Sequence, residues 1–277
     1  MRYPAVAGQF YPSKEKALRE QIEESFRGPL GPGEVPALSK GRGSIRGAVV
    51  PHAGYVFSGS VAAHVYGAIA SEGFPETFVI IGPNHHGIGS GVAMTTEDFV
   101  TPLGTCRIDQ DMAGKLRNWV DEDRFAHAQE HSIEVQMPFI QYFSKDAKFL
   151  PIAMTFQDYE TAKELGSHLR HACKGKDTII IASSDFSHYI SAREAERKDK
   201  AVIDQILKLS ASGVERVVAQ QDVSMCGYGP VMAMLEAVQG KSAHLLRYGN
   251  SGDVRPMEQV VGYAGIIVRG YGHHSHI

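Results

Sequence analysis

The chain has 277 residues, 43% of them hydrophobic, which is enough to bury a full core without disulfide staples. A formal net charge of −3 and a pI near 6.5 leave no basic excess and argue against nucleic-acid binding. Three cysteines with no CxxC pair, no leader-like pattern in the opening MRYPAVAGQFYPSKEK, and no apolar run near the roughly 20 residues of a membrane span set the expectation of a cytoplasmic protein.

A helix is expected over Lys14–Phe26, followed by the Gly- and Pro-rich connection Gly28–Gly43. Ser44–Pro51, Phe78–Pro83, Lys148–Met154 and Thr178–Ala182 are apolar, largely β-branched runs bounded by turn residues. Runs of this kind suit strands covered on both faces. Ser58–Ile69, Asp109–Val120, Ile133–Phe143 and Thr161–Ala172 have helical spacing, with Pro138 a candidate kink in the third. Further helices are expected near Ala192–Leu209 and Pro230–Val238. Ala243–Tyr248 and Val260–Val268 read as closing strands, candidates for antiparallel pairing. The alternation predicts an α/β fold, a central mostly parallel or mixed sheet between helical layers, as one domain over 1–277.

Thirteen histidines are the compositional oddity. Three apolar strands run directly into metal-capable residues: GAVVP into His52, VIIGPN into His85 and His86, and IIIASS into Asp185 and His188. Ligand crevices of α/β sheets lie beyond the carboxyl ends of strands, so these groups are expected to converge. The bland alternative for His52 is a turn histidine bonded to a carbonyl. His85 and His86 are adjacent and point apart, which makes His85 the ligand candidate and His86 an outer residue. In SSDFSHY, a carboxylate near the imidazole would fix its tautomer and raise its basicity, although Asp185 could equally cap the next helix. His131, beside Glu130 and Glu134, suits a pocket or a structural role, and Tyr55 is a further pocket or supporting candidate. Cys226, in SMCGYGPVMAML, precedes a helix start that favours thiolate; its alternative is a small buried hydrophobe. Cys106 and Cys173 have no such setting, and GIGSG lacks the strand–GxGxxG–helix context of a dinucleotide site. His273, His274 and His276 in the closing GHHSHI would pick up metal only adventitiously.

In order along the chain, PHAGYVFSGSVAAHVY, IIGPNHHG, RIDQ, EHSIEVQMPF, ASSDFSH and MCGYGPV resemble the Memo-like protein family. Prokaryotic members are named for a three-gene association, the AmmeMemoRadiSam system, which implies a link to AMMECR-type and radical SAM proteins. The family is similar in fold to class III extradiol dioxygenases, non-haem iron enzymes that open catechol rings, and the resemblance implies an extradiol-dioxygenase-like fold. It also implies metal ligands at His52, His85 and Cys226, with Asp185 and His188 completing the site as catalytic groups. The dioxygenases hold iron through two histidines and a carboxylate. A thiolate in the third place is softer and more oxidisable, suits zinc or copper as well as iron, and weighs against simple catechol cleavage. Three functions are therefore in view. One is an iron-dependent redox protein in which His188, oriented by Asp185, is general base toward a small molecule. Another is a non-catalytic module that captures a peptide or protein in the same cleft. The third is a Cys226–His188–Asp185 hydrolase, which needs thiolate and imidazole within about 3–4 Å.

Overall fold

Four apolar runs become the spine of the sheet in the computed structural model, which describes residues 1–271; the tail histidines His273, His274 and His276 lie outside the described residues. In chain order the elements are α1 (Glu15–Arg27), β1 (Ile45–Val50), α2 (Tyr55–Glu72), β2 (Thr77–Pro83), β3 (Val92–Met94), β4 (Phe99–Thr101), β5 (Gly104–Cys106), α3 (Gln110–Leu116) and β6 (Asp121–Glu122). They continue with α4 (Met137–Phe143), β7 (Lys148–Met154), α5 (Tyr159–Cys173), β8 (Thr178–Ser183), β9 (His188–Ile190), α6 (Ala192–Leu207), α7 (Ala211–Gln220), α8 (Tyr228–Val238), β10 (Ser242–Asn250) and β11 (Val260–Arg269).

The main sheet runs β10-β11-β1-β8-β2-β7-β3-β6, with β9 attached to β11. β1, β8, β2 and β7 are mutually parallel and form its centre. β11 and β10 extend one side antiparallel, and β3 joins β7 antiparallel on the other. The fold is thus α/β with a mixed sheet, parallel in the middle and antiparallel at its margins. β2 and β8 are buried at every position. Strands with both faces covered have no solvent side to mark with polar residues, hence the continuous apolar runs.

β11 shows how the layers lie. A Cβ on Gly265 would meet Val61 and Val65 of α2, whereas one on Gly262 would meet Asp199 of α6. Residues an odd number apart on a strand face opposite ways, so α2 and α6 cover opposite sides. α1 and α4 pack on α2; α8 packs on β1 and β8, with α5 and α7 against it. The main buried cluster is continuous from Val6 to Val268. Among the described residues, no helix is long and apolar enough to cross a membrane.

Two helices differ from expectation. Pro138 falls in the first turn of α4, where its missing N–H is no loss. It starts a helix instead of kinking one, and a 3-10 turn (Glu134–Gln136) precedes it. α3 is capped by Asp109, which accepts from the Met112 N–H, and it ends at Leu116, short of Val120.

Candidate metal centre

The order β1-β8-β2 sets three parallel carboxyl ends side by side, and the chain leaving each one carries a polar group. His52 follows β1, Asp185 follows β8, and His85 follows β2. Asp185 does not cap α6, because Ser191 does so by accepting from the Glu194 N–H. Cys226 arrives from across the crevice in the turn before α8. A Cβ on Gly227 would come within 2.5 Å of the Ser183 carbonyl, so only glycine lets this turn close on the end of β8. The Gly227 N–H donates to Ser184 Oγ at 2.9 Å, and Gln157 Nε2 donates to the Cys226 carbonyl at 2.9 Å.

His52, His85 and Cys226 each offer a ligand atom within 4.8 Å of the others, and His52 Nε2 lies 3.2 Å from Cys226 Sγ. Hydrogen bonding behind the rings decides which nitrogens are open. The Ser183 hydroxyl is 2.9 Å from His52 Nδ1, 2.9 Å from Gln136 Nε2 and 2.7 Å from the Ser132 carbonyl. It has one proton, and the carbonyl, which cannot donate, must receive it. His52 Nδ1 therefore carries hydrogen and donates to Ser183, leaving the Nε2 lone pair toward Cys226. Gln136 is itself oriented, donating to the Pro51 carbonyl at 3.0 Å and accepting from the Tyr66 hydroxyl at 2.8 Å. His85 follows the same logic: its Nδ1 donates to Glu130 Oε1 at 2.8 Å. Glu130 also accepts from the backbone N–H of His85 and of Ser132, at 2.6 and 2.9 Å. Tying one ring nitrogen to a fixed acceptor is how metal-binding histidines are oriented.

Asp185 Oδ1 accepts from the His52 backbone N–H at 2.8 Å, and its Oδ2 sits 3.9 Å from His52 Nε2. Burial, reinforced by His85, lowers the His52 pKa to about 3. His131 stacks on His85 with ring centroids 4.6 Å apart, and burial followed by His52 lowers it to about 4. At Glu130 burial acts upward, but the bonds from His85 and Ser132 outweigh it and hold the carboxyl well below the usual range. At His85 burial acts downward, and the bond to Glu130 more than offsets it. Burial and then Asp185 push the Cys226 thiol up. In the protein alone, then, loss of solvation outweighs the helix start that would favour a thiolate. A cation among these donors would displace that proton, since a coordinating thiol is deprotonated outright. The His52 Nε2 lone pair, the His85 Nε2 once its proton is displaced, and one ionisable thiol fit a borderline or soft divalent ion.

The remaining expected residues fall differently. His188 Nδ1 donates to the Ser224 carbonyl at 2.7 Å, and its backbone N–H donates to Ser224 Oγ at 2.7 Å. Ser224, rather than Asp185, orients this half-buried ring. The Cys226–His188–Asp185 arrangement is not formed either, because the thiol faces His52. His86 is exposed, with Nε2 donating to the Gln129 carbonyl at 3.1 Å. Tyr55 turns into the core, giving its hydroxyl to the Val135 carbonyl at 2.5 Å and packing on Phe139. His85, Glu130 and His131 form a second group of potential donors, but the Glu130 oxygens are already engaged behind His85. Ser183, Gln136, Glu130 and Ser224 are the supporting residues that sequence reasoning missed. The one available signal was polar side chains inside apolar stretches, as in SIEVQMPF.

The Memo-like protein family model matches residues 2–267. The chain is 47% identical to a MEMO1 family protein of Methanopyrus kandleri, over 97% of this chain and 99% of that protein. It is 48% identical to a MEMO1 family protein of Methanosarcina acetivorans, with the same shares of 97% and 99%. A solved structure of an uncharacterized protein from Escherichia coli K12 aligns over 81% of this chain and 99% of that one, at 12% identity and a TM-score of 0.49.

Proposed function

The chain belongs to the Memo-like protein family, and we propose that its crevice is a metal centre in which His52, His85 and Cys226 hold iron for redox chemistry. The observation that carries this reading is the pair of imidazoles with Nδ1–H tied to Ser183 and Glu130, both near one thiol. The Cys226 thiol can itself donate to His52 Nε2 across 3.2 Å, so what favours a metal over a structural pair is the second imidazole, His85, brought near the same thiol with its Nδ1–H tied back to Glu130. Iron would supply Lewis acidity and one-electron chemistry; copper and zinc suit the same donors.

The protein's own groups would manage protons. His188, with Nδ1–H anchored on Ser224, presents Nε2 as acceptor toward a bound small molecule or peptide. Asp185, whose carboxyl burial raises above its ordinary range, can hold a proton beside the cluster. Residence in a reducing cytoplasm, part of the same proposal, keeps Cys226 available as a ligand. A link to AMMECR-type and radical SAM proteins rests on family likeness alone.

Metal analysis of untagged protein purified anaerobically tests the centre. Wild type should retain about one iron per chain, as a three-ligand site predicts, with loss in His52→Ala and His85→Ala and retention in His86→Ala. Stoichiometric zinc would keep the centre and remove the redox role. Metal-free wild type, or equal metal in His52→Ala, would leave the cleft as a peptide- or protein-binding module.

A further inference from the structure

At the opposite end of the sheet, where β1 and β8 begin, lies a second cavity of about 480 Å³. Arg42, Arg46, Arg170, Lys174 and Thr178 line it, Ala237 and Val238 give it an apolar wall, and no carboxylate is among its lining residues. Lys176 borders it too but is already paired with Asp109 and Asp111. Among the described residues, ion pairs occupy other arginines, such as Arg2, Arg19, Arg197 and Arg269, and none involves Arg42, Arg46 or Arg170. Burial and then Arg42 push the Arg46 guanidinium below its ordinary value, opposed by Asp177, which makes no salt bridge to it.

A second observation is independent of charge. Among the described residues, the buried side-chain polar atoms without a hydrogen-bond partner are Arg170 Nε and Thr178 Oγ1. Both residues line this cavity, and Thr178 is only 6% exposed. Leaving a buried donor unsatisfied costs about 1–3 kcal/mol, and native proteins keep few such groups. Both atoms are closed off just behind the cavity wall, and a turn of each side chain would bring its unfilled donor to an acceptor bound there.

We infer that this cavity binds a phosphorylated small molecule, its phosphoryl oxygens accepting from Arg46, Arg170 and Thr178. A phosphoryl group offers several acceptor oxygens and more than one negative charge, which suits separate guanidinium forks better than a single carboxylate does. The volume is that of a small-ligand pocket, and the Ala237–Val238 wall suits the organic part, whether nucleoside or sugar. The site is remote from the metal centre: at about 3.3 Å per residue along β8, Thr178 stands some 20 Å from Asp185.

Isothermal titration of the full chain with inorganic pyrophosphate and with ADP, at about the 0.15 M ionic strength that screens diffuse attraction, tests the inference. Saturable one-to-one binding of at least one probe is expected. Tighter binding of ADP assigns the apolar wall to a nucleoside, and equal binding assigns the site to the phosphates alone. Arg46→Gln and Arg170→Gln should each weaken binding about tenfold or more, as loss of a charge-assisted bond predicts, with His52→Ala unchanged. Thr178→Val keeps the test sharp should an arginine variant misfold. It replaces an orphan hydroxyl with a methyl of the same shape, so the free protein should melt no lower than wild type. Its ligand-induced rise in Tm should nevertheless shrink. Absence of saturable binding by both probes overturns the inference, as does unchanged affinity in Thr178→Val and both arginine variants.

Discussion

At Ser183 a hydroxyl with one proton has three polar neighbours, and that shortage determines what His52 offers to a ligand. Ser183→Ala would release the ring to turn or change tautomer. Affinity for Fe(II) in a competition titration should then fall about 10–100-fold, the usual effect of losing a group that orients a ligand. Unchanged affinity would mean the Cys226 contact alone positions the ring. Cys226 sets a second expectation. Ring opening by class III extradiol dioxygenases uses a hard carboxylate ligand, and a thiolate donates more strongly and is itself oxidisable. Iron-loaded wild type should therefore yield no yellow ring-opened product from simple catechols, and Cys226→Asp is the variant in which activity would reveal a competent scaffold. Oxygen-dependent turnover by wild type, abolished in His188→Ala, would restore the dioxygenase reading. His52, His85 and Cys226 were legible because each closes an apolar run or opens a glycine-rich turn. Their supports were not: Glu130 lies 45 residues from His85, and Gln136 lies 47 from Ser183. No local pattern reports a partner so far along the chain.

The segment before α1 is an element in its own right, although it carries no helix. Glu134 is fully buried and accepts from Arg2, from the N–H groups of Ala5 and Val6 at 2.9 and 3.1 Å, and from the Tyr11 hydroxyl at 2.6 Å. Arg2 also donates to the carbonyls of His127 and Glu130, at 3.0 and 2.7 Å. The chain's first residues thus clamp the turn that orients His85. Arg2→Ala would leave the Glu134 charge buried without its partner. A loss of about 3–5 kcal/mol, the typical result of breaking a buried pair, is expected by urea denaturation, together with weaker metal binding. A loss below about 1 kcal/mol would mean that water reaches Glu134, as at an exposed pair. Element legibility followed length. The parallel strands carry long two-sided apolar runs, and Lys148–Met154 has the boundaries expected of it. β3, β4, β5 and β9 have three residues each and β6 has two, too few for alternation to register. α7 does carry helical spacing at Ala211, Val214 and Val217, but over so short a window that few repeats accumulate.

Across the whole molecule the sheet's parallel centre was legible, whereas its antiparallel margins depend on pairings such as β3 with β7 that sequence distance conceals. The main buried cluster extends from Val6 to Val268, and acid provides a way to probe the stability it supports. His127 is 1% exposed, and its Nε2 donates to the Ala93 carbonyl at 2.9 Å. Burial, only partly opposed by that bond, lowers its pKa to about 4. In the unfolded chain a histidine titrates near 6.5. Between these values the unfolded state binds a proton that the folded state refuses, so ΔG of unfolding rises with pH through this window. The contribution is complete above about 6.5 and is lost as pH falls toward 4; at about 1.4 kcal/mol per pH unit it amounts to roughly 2–4 kcal/mol. His131, lowered to about 4 by burial and then His52, acts in the same direction in metal-free protein. Urea midpoints of that protein should therefore fall steadily from pH 7 to about pH 4.5, within the window set by the shifted and ordinary histidine values. His127→Gln separates this residue from the rest, because its amide keeps a donor for Ala93 and cannot titrate. The acid slope of that variant should lose about one proton's worth of linkage, whatever its stability at pH 7. If wild type and His127→Gln have parallel profiles, the ring takes up its proton equally in the folded and unfolded states, and its burial is not what acid overcomes.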